Sequence, residues 1–421
     1  MSDASPDAPL NGRGYAFVTG TGAVTPVGTG TENFWDAALH GKSGAGEITL
    51  FDPSPFPSHI AGECSDFDPV DFMSKKEARR MDRYAQFGVA AGVQAAESAG
   101  IIGTIQQAPE RVAIVIGSGI GGLSTWEREY KVLHERGANR VSPFLITMMV
   151  PNMAAGQLAI MLGATGPTQC PVLACATGGE AVAEGLELIR RGDADVVIAG
   201  SAEAPITPLS MAGFCAIRAI STRNEEPHRA SRPFDADRDG FLMSEGAGAM
   251  VLESPEHAER RGAEPIARVM GYGRTTDAYH VTAPDVEGRG VERAMKLALD
   301  DAGLTIEEIG HVNAHATSTP TGDGPETKAI SRLLSHAAVS ATKSMTGHSF
   351  GAVGATEGIM CALALKRKVL PPTINLEELA EDCEALDYVT EAREVPDLKA
   401  AVSNSMGFGG HNVVVAFASV E

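Results

Sequence analysis

Cys175 stands in Leu173-Ala-Cys-Ala-Thr-Gly-Gly-Glu180, where a helix begins, and two histidines follow far downstream, in Asn313-Ala-His-Ala-Thr-Ser-Thr-Pro320 and Thr342-Lys-Ser-Met-Thr-Gly-His-Ser349. A thiol attacks as its thiolate, and a helix N-terminus favours that anion, so Cys175 reads as a covalent nucleophile. Such a cysteine can hold an acyl group as a thioester, and a carbanion is then needed to form a carbon-carbon bond. Loss of carbon dioxide from a malonyl thioester supplies one. Two neutral imidazoles, His315 and His348, would hold the enolate charge as an oxyanion hole does. The tetrahedral species on the other thioester needs donors of its own, and the N–H groups of Cys175 and of Gly407-Phe-Gly-Gly410 are candidates, because glycine permits close backbone approach.

Elements able to bring these residues together are legible. Short Val/Ile/Ala runs ending in Gly or Ser recur at Tyr15–Thr19, Arg111–Gly117, Asp195–Gly200, Gly248–Glu253, His311–Ala314, Ala400–Asn404 and Val413–Ala418. Runs of that kind suit sheets covered by helices on both faces. Helical spacing appears from Cys175 to Arg191, from Gly290 to Ala302 and from Ala355 to Arg367. The expected class is α/β, with reactive residues at strand ends and helix starts. Sheet-forming runs and glycine loops fall on both sides of residue 265, which suggests two duplicated halves: 14–265 carrying the cysteine and 266–421 carrying the histidines. Residues 1–13, rich in Ser, Pro, Asp and Gly, read as a loose leader.

Composition sets limits. The 421 residues are 43% hydrophobic, enough for a large core, and the net charge of −20 argues against general affinity for nucleic acid or an anionic membrane. Six scattered cysteines without Cys-x-x-Cys pairs, and no secretory h-region, point to a reducing cytoplasm and to no zinc site. No apolar run reaches the ~18 residues of a spanning helix. Cys64, Cys170, Cys215 and Cys361 read as core or surface residues, and His280 and His411 as solvated ones.

Six blocks in one order carry a resemblance that covers nearly everything from Tyr15 onward: Gly117-Ser-Gly-Ile-Gly-Gly122, Ala174-Cys-Ala-Thr-Gly178, Ser231-Arg-Pro-Phe-Asp-Ala-Asp-Arg-Asp-Gly-Phe241, Asn313–Thr319, Lys343-Ser-Met-Thr-Gly-His348 and Asn404-Ser-Met-Gly-Phe-Gly-Gly410. The chain resembles the β-ketoacyl-acyl-carrier-protein synthases of the condensing-enzyme family, in particular the elongating type II group. The resemblance implies a thiolase-like αβαβα fold, a homodimer, no organic cofactor and a ping-pong decarboxylative condensation. It assigns acyl transfer to Cys175 and malonyl decarboxylation to His315 and His348. Lys343 becomes their electrostatic support and Glu357 the buried acid behind it. Phe408 and Gly409 fall in the gating loop, and Ile120 lines the acyl tunnel. Two positions depart from the family pattern: Ala316 replaces a usual glycine, and Met406 a common phenylalanine.

Other readings compete with parts of this one. Gly117–Gly122 fits the G-x-G-x-x-G dinucleotide fingerprint, but no tyrosine has a lysine four residues on, as a short-chain dehydrogenase would need, and a tight turn beside the tunnel is preferred. Asp235-Ala-Asp-Arg-Asp-Gly240 imitates a calcium loop, yet position twelve is Gly246, so a turn held by arginine-aspartate pairs is expected and no metal. A discrete type II polyketide ketosynthase would use the same residues on other chains. A non-condensing partner subunit would generally lack the nucleophile. The implied partner, acyl carrier protein, is acidic, so this acidic chain needs a local basic patch. Lys75, Lys76, Arg79, Arg80 and Arg83 lie on a run whose spacing is expected to put several of them on one helical face, and Arg140 and Arg218 match basic positions of the family's docking surface, with Asn139 where a basic residue is common.

Overall fold

The computed structural model describes residues 14–421; the expected leader, 1–13, lies outside the described residues. Eleven strands run in one hydrogen-bonded path, joined by the short strand Gly28–Thr29 in a sheet of twelve. They are β1 (Ala16–Thr25), β2 (Val112–Gly117), β3 (Thr168–Gln169), β4 (Val196–Glu203), β5 (Gly246–Glu253), β6 (Ala267–Thr276), β7 (Ile309–Asn313), β8 (Ala338–Ser340), β9 (Asp387–Tyr388), β10 (Ala400–Gly407) and β11 (His411–Ala418). The spatial order is β9-β8-β7-β10-β11-β6-β1-β5-β4-β2-β3.

The order is near-symmetric about the antiparallel β1–β6 contact. On one side β1 pairs antiparallel with β5 and β5 with β4, and then β4, β2 and β3 run parallel. On the other, β6, β11 and β10 are antiparallel neighbours and β10, β7, β8 and β9 run parallel. The strands of residues 16–253 and those of 267–418 therefore fill separate sides.

Burial sorts the helices into layers. In α4 (Thr177–Arg190) and α7 (Val353–Arg367) nearly every residue up to Ile189 and Leu365 is buried. A helix apolar all round belongs inside a protein. Accordingly α4 and α7 touch each other and strands of both sides, including β4, β5, β10 and β11. By contrast α5 (Arg289–Ala302) buries Val291, Ala294, Met295, Ala298, Leu299 and Ala302 at helical spacing and exposes Arg289, Arg293, Lys296, Leu297 and Asp300. That single stripe suits an outer layer, and α5 lies against β6 and β11 with α6 (Asp323–Leu334) beside it. On the other outer face α1 (Arg83–Ala99) packs on β1, β4 and β5, with α2 (Leu123–Arg136) further along the chain and α3 (Met153–Leu162) against α1. The result is the α/β, thiolase-like αβαβα layering.

The three expected helices are present within a few residues of their predicted ends, with one shift of consequence: Cys175 belongs to a 3-10 turn, Ala174–Ala176, just before α4. The basic run is not one helical face. Lys75 and Lys76 sit on a four-residue helix, Lys75–Ala78, and a second helix starts after Asp82, whose carboxylate accepts the Tyr84 N–H. Arg83 turns inward to an ion pair with Glu245 at 2.5 Å. In the Asp235–Gly240 segment, Asp235 accepts from Arg232 Nε at 2.8 Å and from three backbone N–H groups, while Arg238 pairs with Asp382. The aspartates close a turn.

Candidate active site

The Cys175 loop is a sharp, braced bend. Ala174 is forced to φ 48, and Thr177 Oγ1 clamps it by donating to the Ala174 carbonyl at 2.7 Å and accepting the Leu173 N–H at 2.9 Å. Left-handed backbone at a non-glycine residue is strained and persists only where neighbours hold it. Gly407, at the end of β10, approaches from above the sheet edge: a Cβ there would lie 2.6 Å from the Leu173 oxygen and 3.3 Å from the Cys175 nitrogen. Only glycine admits that contact.

His315 stands two residues beyond the end of β7, and Glu326 of α6 fixes its loop by accepting the N–H groups of His315 and Ala316, each at 2.8 Å, with Asn404 Nδ2 at 2.9 Å. Ala316 is buried at an ordinary negative φ, so the missing glycine costs the loop nothing in backbone conformation. His348 follows Gly347, whose φ of 69 turns the chain, and the His348 N–H bonds the Leu242 carbonyl at 2.7 Å. These turns bring residues 175 and 348 together: His348 Nε2 is 3.1 Å from Cys175 Sγ. The two imidazoles meet edge to face with centroids 5.4 Å apart.

All three groups line one cavity of about 400 Å³, whose walls include Phe241, Phe350, Met406 and Phe408 and whose lip includes Arg218. Phe408 is 37% exposed. Ile120 does not line this cavity; half-buried, it packs in the apolar cluster that contains Cys175 and Phe350. Lys75, Lys76 and Arg140 are exposed and also stand outside the cavity lining. Gly409 adopts φ 88, and its N–H bonds the Val281 carbonyl.

Electrostatics corrects one expectation. Burial pushes the Cys175 thiol up to about 12, and neither the Lys343 charge nor the Phe408 and Cys175 N–H groups aimed at the sulfur offset it. Desolvation outweighs the helix N-terminus. The resting sulfur is a thiol, and its proton must leave during reaction. Burial, with Lys343 second, holds His315 well below the usual imidazole range, and the same two causes act on His348. Both rings are therefore neutral at pH 7, the state in which an imidazole N–H can donate without carrying charge. Lys343 is fully buried and pairs with Glu357 at 2.6 Å. Burial raises Glu357 to about 7, against the pull of Lys343.

Several residues with evident roles here carry no motif: Glu326 behind the His315 loop, Asp323 accepting the Ser318 and Phe234 N–H groups, and Glu203 beneath the Gly117–Gly122 loop. The one hint in the sequence is that Asp323 and Glu326 lie three apart at the start of α6, eight and eleven residues beyond His315. His280 is exposed, and His411, half-buried, opens β11.

Family comparison agrees with this geometry. Residues 17–258 match the model of the β-ketoacyl synthase N-terminal domain and residues 266–377 that of its C-terminal domain. The chain belongs to the β-ketoacyl synthase family. It is 47% identical over 404 residues to the 3-oxoacyl-[acyl-carrier-protein] synthase 2 of Synechocystis sp., covering 95% of this chain and 97% of that one. The protein of the same name from Staphylococcus aureus is 46% identical over 408 residues, covering 96% and 98%. Among solved structures, the ishigamide ketosynthase/chain length factor superposes with a TM-score of 0.90 at 35% identity, and a β-ketoacyl synthase from Burkholderia phymatum with 0.89 at 33%; each covers 97% of this chain and 100% of the other. No helix among the described residues is long and apolar enough to cross a membrane.

Proposed function

We propose that this enzyme is an elongating β-ketoacyl-acyl-carrier-protein synthase, an acyltransferase that forms carbon-carbon bonds. The observation that carries the reading is the 3.1 Å approach of His348 Nε2 to Cys175 Sγ in a cavity that His315 also lines. In the first half-reaction Cys175 attacks the thioester carbonyl of an acyl carrier protein, and the N–H groups of Cys175 and Phe408 take the oxyanion. The carbonyl–sulfur bond to the carrier breaks, and the thiol proton ends on the departing carrier sulfur, relayed through His348 Nε2. In the second, malonyl carrier protein loses carbon dioxide, and the electron pair of the broken bond becomes an enolate held by N–H donors of His315 and His348. The enolate carbon attacks the Cys175 thioester, the new carbon-carbon bond forms, and Cys175 leaves as thiolate and takes up one proton from water, the proton that loss of carbon dioxide from a carboxylate consumes. The two half-reactions need different tautomers of His348, and its buried Nδ1, without a partner in the structure, ties the ring to neither. Lys343 and Glu357 act behind the rings, and no cofactor enters any step.

The remaining assignments belong to the same reading. The chain divides at 265 into a half with the nucleophile and a half with the histidines, as the near-symmetric strand order supports. A second copy covers exposed apolar residues of the helix Leu123–Arg136, among them Trp126, Tyr130 and Leu133, giving a homodimer. Acyl carrier protein docks on Arg218 at the cavity lip with Lys75, Lys76 and Arg140 further out. Phe408 and Gly409 gate the entrance, and Ile120 flanks the acyl chain. A nucleophilic thiol suits a reducing cytoplasm.

Likeness to a solved type II polyketide ketosynthase in complex with its acyl carrier protein, with a TM-score of 0.89 at 30% identity, favours a second reading, a type II polyketide ketosynthase with the same chemistry on a specialised chain. Intact-protein mass spectrometry after incubation with carrier proteins bearing saturated acyl or polyketide chains tests both. Saturated acyl groups are expected to add to the wild type and to vanish in Cys175→Ala. Selective addition of polyketide chains favours the second reading, and mass gain that survives Cys175→Ala overturns both.

A further inference from the structure

Glu203, the last residue of β4, is a fully buried carboxyl directly behind the active site, and no motif or step above uses it. One oxygen accepts the Gly119 N–H, and the other accepts from Ser118 Oγ at 3.2 Å, while Ser118 Oγ in turn accepts the Gly121 N–H at 2.9 Å. The N–H groups of Ile120 and Gly351 are directed at the same carboxyl. A Cβ on Gly119 would lie 2.9 Å from Glu203 Oε1, and one on Gly351 2.5 Å from it; each would also lie within 3.4 Å of the Ala174 carbonyl. Two segments thus converge on one side chain, the Gly117–Gly122 loop and the Phe350–Ala352 turn, and both abut the Ala174 carbonyl of the Cys175 loop.

The amides of a glycine loop between a strand and a helix form an anion nest. Here the protein fills the nest with its own acid, so the amides of the dinucleotide-like fingerprint are already taken up by Glu203. Among the described residues no cation pairs with Glu203; the titratable groups that feel it are Cys175, Cys170 and Tyr84. Burial raises the carboxyl to about 8, against the pull of the backbone donors. An uncharged carboxyl still accepts from Gly119 and shares a proton with Ser118, so hydrogen bonding and shape, rather than charge, hold the loop.

The two segments it ties down carry Ile120 and Phe350, which pack in the apolar cluster around Cys175. We infer that Glu203 is a positioning residue that fixes the wall of the acyl seat, and so sets which acyl chains Cys175 accepts. The inference rests on the reading of Cys175 as acyl acceptor. A short acyl group touches only the neighbours of the sulfur, whereas a long one must run along the Ile120 and Phe350 wall, so disorder of that wall penalises long chains. Malonyl decarboxylation depends on His315 and His348, which Glu203 does not contact.

The experiment measures acylation rates of Cys175 by short- and long-chain acyl carrier proteins, and carbon dioxide release from malonyl carrier protein on enzyme acylated with a short chain. Glu203→Ala is expected to lower the long-chain to short-chain ratio about tenfold, through lost positioning of the reacting group, and to leave decarboxylation within about twofold. Glu203→Gln, neutral and isosteric, is expected to restore the wild-type ratio. An unchanged ratio in Glu203→Ala, or an equal loss across all chains and both half-reactions, overturns the inference. If Glu203→Ala does not fold, Ser118→Ala, which removes the bridge to Gly121, takes its place: a shift in the same direction supports the inference, and an unchanged ratio overturns it. A wild type that no carrier acylates overturns the reading of Cys175 itself, and the two failures are thereby distinguishable.

Discussion

Two glycine loops press on the Cys175 loop, and they differ in what fills them. Gly117–Gly122 is largely buried, with its amides turned onto the Glu203 carboxyl and Glu203 itself fully enclosed. The amides of Gly407–Gly410 are not gathered on a buried carboxyl; the Gly409 N–H goes to the Val281 carbonyl, and the half-buried Asp277 packs against Gly410 and donates its N–H to the Gly410 carbonyl at 2.8 Å. Phe408 is partly exposed, and Gly409 and Gly410 sit at φ 88 and 76. Both loops are rich in glycine; what holds them differs. The first is tied to the Glu203 carboxyl, and the second is held by backbone bonds, with Gly407 pressed against the Leu173 carbonyl.

That contrast can be broken inside the second loop. Gly407→Ala places a Cβ against the Leu173 oxygen, 2.6 Å away, and displaces the oxyanion donors. Acylation of Cys175 should fall by about 10² or more, on the scale of losing a preorganised donor. Phe408→Ala removes a half-exposed side chain and no donor, so its effect should be about tenfold on acylation with the unfolding midpoint unmoved. Equal losses in the two variants would mean that the loop moves as one piece.

The first loop is sharpened by pH. Glu203 keeps its proton up to about 8 when folded but loses it near the ordinary glutamate value of 4.5 when unfolded. Its contribution to stability is therefore complete below 4.5 and is lost as pH rises through 8. Glu203→Gln cannot titrate. The difference in thermal midpoint between variant and wild type should move in the variant's favour as pH rises from 5 to 8. Glu357 carries the same sign, and His315 and His348, depressed by burial, lose stability as pH falls through 6.5. All three are common to both proteins and cancel in the difference. A flat difference would place a charge on Glu203 at neutral pH.

How much of this could be read in advance follows from where the information lies. Cys175, His315, Lys343 and His348 stand in blocks whose spacing marks them, and the buried helices show in their apolar runs. The buried acids do not. A glutamate such as Glu203 or Glu326 reads as a solvated charge unless the backbone donors around it are known, and those come from residues 84 and 11 positions away. The basic run misled because the Asp82 cap restarts the helix inside it. The thiol misled because the helix N-terminus is visible in sequence, whereas desolvation is visible only after packing.

The smallest effect concerns the outer surface. Charge reversal at Arg218 and Lys76 together should raise the Michaelis constant for acyl carrier protein severalfold at low salt, shrinking at high salt, without altering the turnover number. An unaltered constant would remove both residues from the docking surface.

The central claim is that two neutral imidazoles serve the chemistry of one buried sulfur. The direct measurement is release of labelled carbon dioxide from malonyl carrier protein by pre-acylated wild type, His315→Ala and His348→Ala. Both variants should keep the acyl group on Cys175 and lose at least about 10² in release rate; release at the wild-type rate from either acylated variant would contradict the assignment.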